Sequence, residues 1–218
     1  MSWAWENRAM LAGYTGQHLY LALTPVLIGL VISLPLGIAC ARWKWFYPPA
    51  LTASSVLYAI PALALFIFLI PYTGLVGPTQ SLTLIIPLAL YSLATVLPNV
   101  VDGLRAVPEP VRQAATAMGF GPLRRLIRVE LPLAVPVVIA GLRVATVASI
   151  SLVSVGALIG IGGLGYLFID GEQRDFFTTE ITVGLLLIVL IALAADAVLV
   201  GVRRLLTPWL RGREVGTP

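Results

Sequence analysis

Arg143 and Asp196 stand deep inside apolar stretches of this chain, and a charge held in hydrocarbon is costly enough to default to a functional reading. Counted from Pro132 and from Arg203 at ~1.5 Å per helical residue, both lie roughly 10 to 16 Å from the same polar boundary. They could pair, as a structural or gating contact, or Arg143 could extend alone toward the interface. Tyr58, Phe66, Phe68, Tyr72 and Tyr91 lie in or beside two apolar stretches. Aromatic faces can hold quaternary ammonium groups, although anchoring in lipid or at its interface is their commoner use. Gly160, Gly162 and Gly165 satisfy G-x-G-x-x-G, but they follow an apolar helix rather than a strand. A turn or close packing is therefore expected, not a dinucleotide site. No G-x-x-x-x-G-K-[ST] loop and no His/Cys cluster is present, and the single Cys40 excludes an intrachain disulfide. His18, alone, reads as a polar cap or surface residue at the outer end of the first helix, ahead of any metal or proton-relay role. The expectation is no catalytic residue, no metal site and no cofactor.

The elements that must position these residues are membrane helices. Of 218 residues 59% are hydrophobic and 11% charged, with mean hydropathy +0.96, more apolar surface than a soluble domain could hide. Apolar blocks of about the ~20 residues that cross a bilayer run over 19–41, 51–70, 81–101, 133–159 and 181–202. The residues before the first block include Glu6 and only one arginine, unlike a cleaved signal peptide. Five alternating helices put Arg42, Lys44, Arg105, Arg112, Arg124, Arg125, Arg128, Arg203, Arg204, Arg211 and Arg213 at one end, leaving Arg8 and Arg174 opposite. Lys and Arg collect in cytoplasmic loops, so the N-terminus is expected outside and the C-terminus inside, with Asp170, Glu172, Asp175 and Glu180 facing out. The net charge of +4 then reflects topology rather than nucleic-acid affinity. Pro25, Pro35, Pro61, Pro71, Pro87, Pro98 and Pro136 predict kinks, either around a pathway or for ordinary packing. Gly156 and Gly160 form a G-x-x-x-G step that could bring two helices together.

One polar stretch, 102–132, is long for a loop between membrane helices. Pro108 and Pro110 stop the third block, and a short helix can start at Pro110. It would carry Val111, Ala114, Ala115 and Met118 as an apolar stripe, and would end at Gly119 and Gly121. A second amphipathic helix is expected over 123–130, with Leu123, Leu126 and Ile127 opposite Arg124, Arg125 and Arg128. Two helices across the membrane surface, with small residues admitting a partner, suggest protein docking ahead of simple interfacial binding.

The spacing Gln113-Ala114-Ala115, three residues, Gly119, nine residues, Val129, one residue, Leu131-Pro132 resembles the EAA motif of membrane subunits of binding-protein-dependent ABC importers. Glutamine replaces glutamate at 113 and valine replaces isoleucine at 129. The runs Ile60-Pro61-Ala62-Leu63-Ala64-Leu65, Ile70-Pro71, Val129 to Ala134 and Ala157 to Gly165 resemble the osmoprotectant branch, which takes up glycine betaine, choline or carnitine. The resemblance covers about residues 15–205. It implies an all-α integral membrane permease of the methionine-importer-like fold with about five transmembrane helices. Residues 1–218 would form one permease domain, located in a bacterial plasma membrane.

By resemblance, the partners are cytoplasmic ABC ATPase subunits, a separate extracytoplasmic solute-binding protein, and a second permease subunit that is a copy or a paralogue. The coupling role falls on Gln113, Ala114, Ala115 and Gly119. Arg112 and Glu109 would flank them, and Leu131 and Pro132 would set the return into the fourth helix. Pro61, Tyr91, Arg143 and Asp196 are the pathway or gating candidates. Transport of methionine or another small solute, an ATP-independent channel or carrier, and a non-transporting scaffold are the alternatives.

Overall fold

The computed structural model describes residues 2–43, 45–73 and 80–210. Lys44, Arg211 and Arg213, counted above for orientation, lie outside the described residues. Those described contain helices and turns but no strand, because in hydrocarbon a helix satisfies its own backbone polar groups. A short α1 (Ser2–Glu6) leads into α2 (Arg8–Arg42), followed by α3 (Tyr47–Ala59), α4 (Ala62–Thr73) and α5 (Gln80–Arg105). Then come α6 (Glu109–Ala117), α7 (Pro122–Arg125), a π-helical turn (Leu126–Glu130) and α8 (Leu131–Gly156), with α9 (Tyr166–Gln173) and α10 (Thr178–Leu206) last.

Among the described residues four continuous helical runs are long and apolar enough to cross a bilayer, and α3 with α4 makes a further segment. That second block was expected as one helix over 51–70, but it bends by 93° at Ile60 and Pro61. Ile60 is extended, with φ −73° and ψ 128°, since the residue before a proline is driven out of the helical region.

α5 is the centre of the bundle, packing on α2, α3, α4 and α8. Leu84, Leu88, Val96, Val100, Val101 and Leu104 are buried along its length. Close approach there needs small residues. A Cβ on Gly29 of α2 would lie 2.6 Å from Ser92 Cβ and 2.9 Å from the Leu93 backbone nitrogen. α10 is peripheral, and of its residues only Glu180, Gly184 and Ile188 are buried.

Contacts between helix ends show that the segments alternate. At one end Arg105 donates to the Cys40 carbonyl at 3.2 Å and stacks 4.0 Å from the Tyr47 ring centroid. At the other, His18 Nε2 meets the Ile150 carbonyl at 2.9 Å, and Gly156 packs on Leu84. The described basic residues Arg42, Arg105, Arg112, Arg124, Arg125, Arg128, Arg203 and Arg204 therefore share one end.

Three further expectations change. His18 is fully buried rather than a cap, because α2 begins ten residues before it and carries it between helices. Of the Gly156 and Gly160 step only Gly156 meets another helix closely, where a Cβ would lie 2.6 Å from the Leu84 side chain, because α8 ends at Gly156 and Gly160 takes the left-handed conformation at φ 79°. The second surface helix is not separate either. Residues 122–159 form one continuous run, so the fourth span begins well before residue 133.

Candidate functional site

α6 starts after Pro108, with Glu109 and Pro110 in its first turn. There the carboxylate favours the positive helix end and proline sacrifices no hydrogen bond. It stops in a Schellman motif, in which Phe120 N–H donates to Ala115 O at 3.1 Å and Gly119 N–H to Thr116 O at 2.9 Å. Gly119 has φ 82°, a conformation that glycine takes without the strain of a Cβ. Gln113, Ala114 and Gly119 are exposed, whereas Ala115 is only 1% exposed. Ala115 was grouped with Ala114 as admitting a partner; it instead packs inside this chain. The outer surface also shows Val111, Met118, Leu123 and Ile127, large apolar side chains that this chain leaves uncovered.

Two arginines tie α6 to the spans on either side. Arg112 donates to the Leu104 carbonyl at the end of α5 and lies 3.8 Å from Glu109. Arg125 donates through Nε to Glu130 at 2.8 Å and through Nη1 to Thr116 Oγ1 at 2.9 Å, joining α6 to the start of the fourth span. Glu130 is 8% exposed, and the guanidinium supplies its charge partner. Sequence reasoning missed Arg125, Thr116 and Glu130 as a set because a five-residue separation is not an α-helical neighbour spacing.

The π turn accounts for that spacing. Leu131 N–H bonds back to Leu126 O. Pro132 just beyond cannot donate to the residue 128 carbonyl and crowds it, so widening the preceding turn relieves the clash. Leu131 packs with Leu126 and Ala134 in a core between the spans, and Pro132 lies in the first turn of α8.

The four pathway candidates form two separate groups. Pro61 and Tyr91 line one cavity of about 290 Å³ at the break between α3 and α4, beside Tyr58, Thr95, Ala145 and Ser149. Tyr91 donates its hydroxyl to the Ile60 carbonyl, bracing the break. Arg143 and Asp196 instead join α8 to α10 through a fork, with Nε–Oδ1 at 2.6 Å and Nη2–Oδ2 at 2.7 Å. Residue 143 is two positions from Ala145, about 200° around a helix of 3.6 residues per turn, so the ion pair points away from the cavity. Of the other aromatics, Phe66 is fully buried while Phe68 and Tyr72 are exposed. In the acidic cluster, Glu180 is buried and accepts from Arg174 at 3.3 Å.

The profile of the family described as "Binding-protein-dependent transport system inner membrane component" matches residues 33–212. The chain belongs to that family. It is a permease of an ABC transport system, multi-pass in the inner membrane, and the channel and carrier readings are not favoured. It is 36% identical over 93% of its length, and 94% of the relative's, to the osmoprotectant import permease protein OsmW of Salmonella typhimurium. Identity is 30% to the glycine betaine/carnitine/choline transport system permease protein OpuCB of Bacillus subtilis, over 95% of this permease and 94% of that one. Among solved structures, an inward-facing MetNI methionine ABC transporter superposes with a TM-score of 0.77 and 22% identity, covering 90% of this permease and 96% of that chain. That likeness establishes the methionine-importer-like fold and says nothing of solute.

Proposed function

We propose that this permease is the membrane-spanning subunit of an ATP-driven importer for osmoprotectants of the quaternary-amine class, such as glycine betaine, choline or carnitine. The observation that carries the reading is the 36% identity, over nearly the whole of both chains, to an osmoprotectant import permease. The expected partners are two cytoplasmic ABC ATPase subunits, a separate extracytoplasmic solute-binding protein, and a second permease subunit. Residues 1–218 act as one permease domain. The end that gathers the described arginines is cytoplasmic, and the N-terminus is outside.

In this reading α6 is the helix on which the ATPase docks. Gln113, Ala114 and Gly119 lie on the contact face, Ala115 seats the helix on the permease, and Arg112 fixes it to α5. Closure of the ATPase dimer on ATP draws the docked helices together, and the spans switch between inward-facing and outward-facing arrangements. The permease contributes coupling through a two-state element rather than chemistry. Pro61 and Tyr91 line the route, and the Arg143–Asp196 pair holds α8 and α10 in register as a gate.

ATP-dependent uptake of radiolabelled glycine betaine by the reconstituted assembly tests the proposal. Choline should compete and methionine should not, and Ala114→Asp on the exposed face should abolish uptake while the permease remains folded. Uptake that ignores ATP, or competition by methionine alone, would overturn it.

A further inference from the structure

The cavity at the break of the second span has a chemistry of its own. No Asp, Glu, Lys, Arg or His lines it. Among its polar side chains, Thr95 donates its hydroxyl to the Tyr91 carbonyl at 2.9 Å and Ser149 donates to the Ala22 carbonyl at 2.8 Å, which leaves their oxygen lone pairs as acceptors, and Ser92 and Tyr58 add two further hydroxyls. α3 ends at Ala59, and Ala59 and Ile60 both line the cavity, so the negative end of the helix dipole faces it. Pro61 has no N–H to return to that last turn, where the Ile60 N–H donates to the Leu57 carbonyl at 3.3 Å. The Tyr58 and Tyr91 rings both line the space, with centroids 5.9 Å apart and planes at 88°. The ring faces, the hydroxyl lone pairs and the carbonyl end of α3 attract positive charge, the N-terminal end of α4 at Ala62 opposes it, and the lining holds no full counter-ion.

A cavity of about 290 Å³ is at the small end of ligand pockets, which run from ~300 to 1,000 Å³. It lies near mid-span, where broken helices of other transporters place ion and solute sites. Tyr58 and Ala59 also border a second crevice, between α3 and α5, lined by Leu51, Ser54, Ser55 and Pro98. That crevice leads from the cavity toward the arginine-rich end.

We propose that this cavity is a way-station for a quaternary ammonium group within the permease itself, with Tyr58 and Tyr91 as its aromatic walls and the carbonyl end of α3 as its floor. The inference rests on the quaternary-amine reading above. A primary ammonium would surrender strong hydrogen bonds to water for a site without a carboxylate. A trimethylammonium has no N–H to satisfy and interacts with ring faces instead. Tyr58, shared by cavity and crevice, is then the side chain the solute passes on its way inward.

The test uses the assembled permease–ATPase complex in nanodiscs without its binding protein and measures saturable binding of radiolabelled choline. Tetramethylammonium should displace it, and ethanolamine, the primary-amine counterpart, should not. Tyr58→Leu should weaken binding about tenfold, while Tyr58→Phe, which keeps the ring and controls for folding, should bind like the native protein. Equal binding by all three proteins, or equal displacement by ethanolamine, would overturn the way-station. Choline uptake by the native importer with its binding protein separates the two levels. Uptake without a Tyr58-dependent site removes only this inference, whereas absence of any quaternary-amine uptake removes the functional reading and this inference with it.

Discussion

Arg143 and Asp196 meet through two hydrogen bonds of 2.6 and 2.7 Å, a bidentate geometry that lysine cannot reproduce. Each single charge reversal, Arg143→Asp or Asp196→Arg, should lower uptake by at least about tenfold, since it puts two like charges together in an apolar stretch. The double reversal should restore much of the loss, and transport assays on the three variants check this. At Gly119 the constraint is conformational. With φ at 82°, a valine there should strain the left-handed turn by ~1–2 kcal/mol and unseat the Schellman cap. Loss of ATPase co-purification with the permease still inserted is the expected result.

Among the elements, the arginine bridge from α6 to the fourth span is the one to break first. Arg125→Gln removes the charge partner of the nearly buried Glu130 and loosens the link to Thr116. The expected outcome is a complex that still binds its ATPase but moves less solute per ATP hydrolysed, read from parallel uptake and phosphate-release assays. Helix contact gives a second prediction. Gly29→Ala drives a Cβ to 2.6 Å from Ser92 and 2.9 Å from backbone of α5, and overpacking of this kind costs about 1–3 kcal/mol. A lower unfolding temperature of the purified permease checks it. Gly13, with nothing within 4 Å of its Cβ position, should tolerate alanine in the same assay.

At the scale of the whole molecule, the described arginines gather at one end because the segments alternate, and the helix-end contacts of Arg105 with Cys40 and of His18 with Ile150 hold that arrangement. Cys40 is the chain's lone cysteine, so a Cys40→Ala background makes sidedness measurable. In intact cells a membrane-impermeant maleimide should label Asp175→Cys, and should label Arg124→Cys only after permeabilisation. The reverse pattern would invert the proposed orientation.

The apolar blocks and their intervening charges were sufficient to find the five apolar segments, their alternation and a short helix starting near Pro110, because hydropathy, proline and glycine act locally, but not the 93° break in the second segment or the early starts of the first and fourth. The EAA spacing likewise marked α6 and its exposed Gln113 and Ala114. What sequence could not carry was the set of contacts made between distant residues. Burial of Ala115 and His18 depends on which face meets a neighbouring helix. The Arg125–Glu130 contact depends on a π turn provoked by Pro132, and the tyrosine-lined cavity arises only when the break at Pro61 is set against α5 and α8. Local backbone preference is written in neighbouring residues, whereas packing is decided by side chains that come together only in the folded bundle.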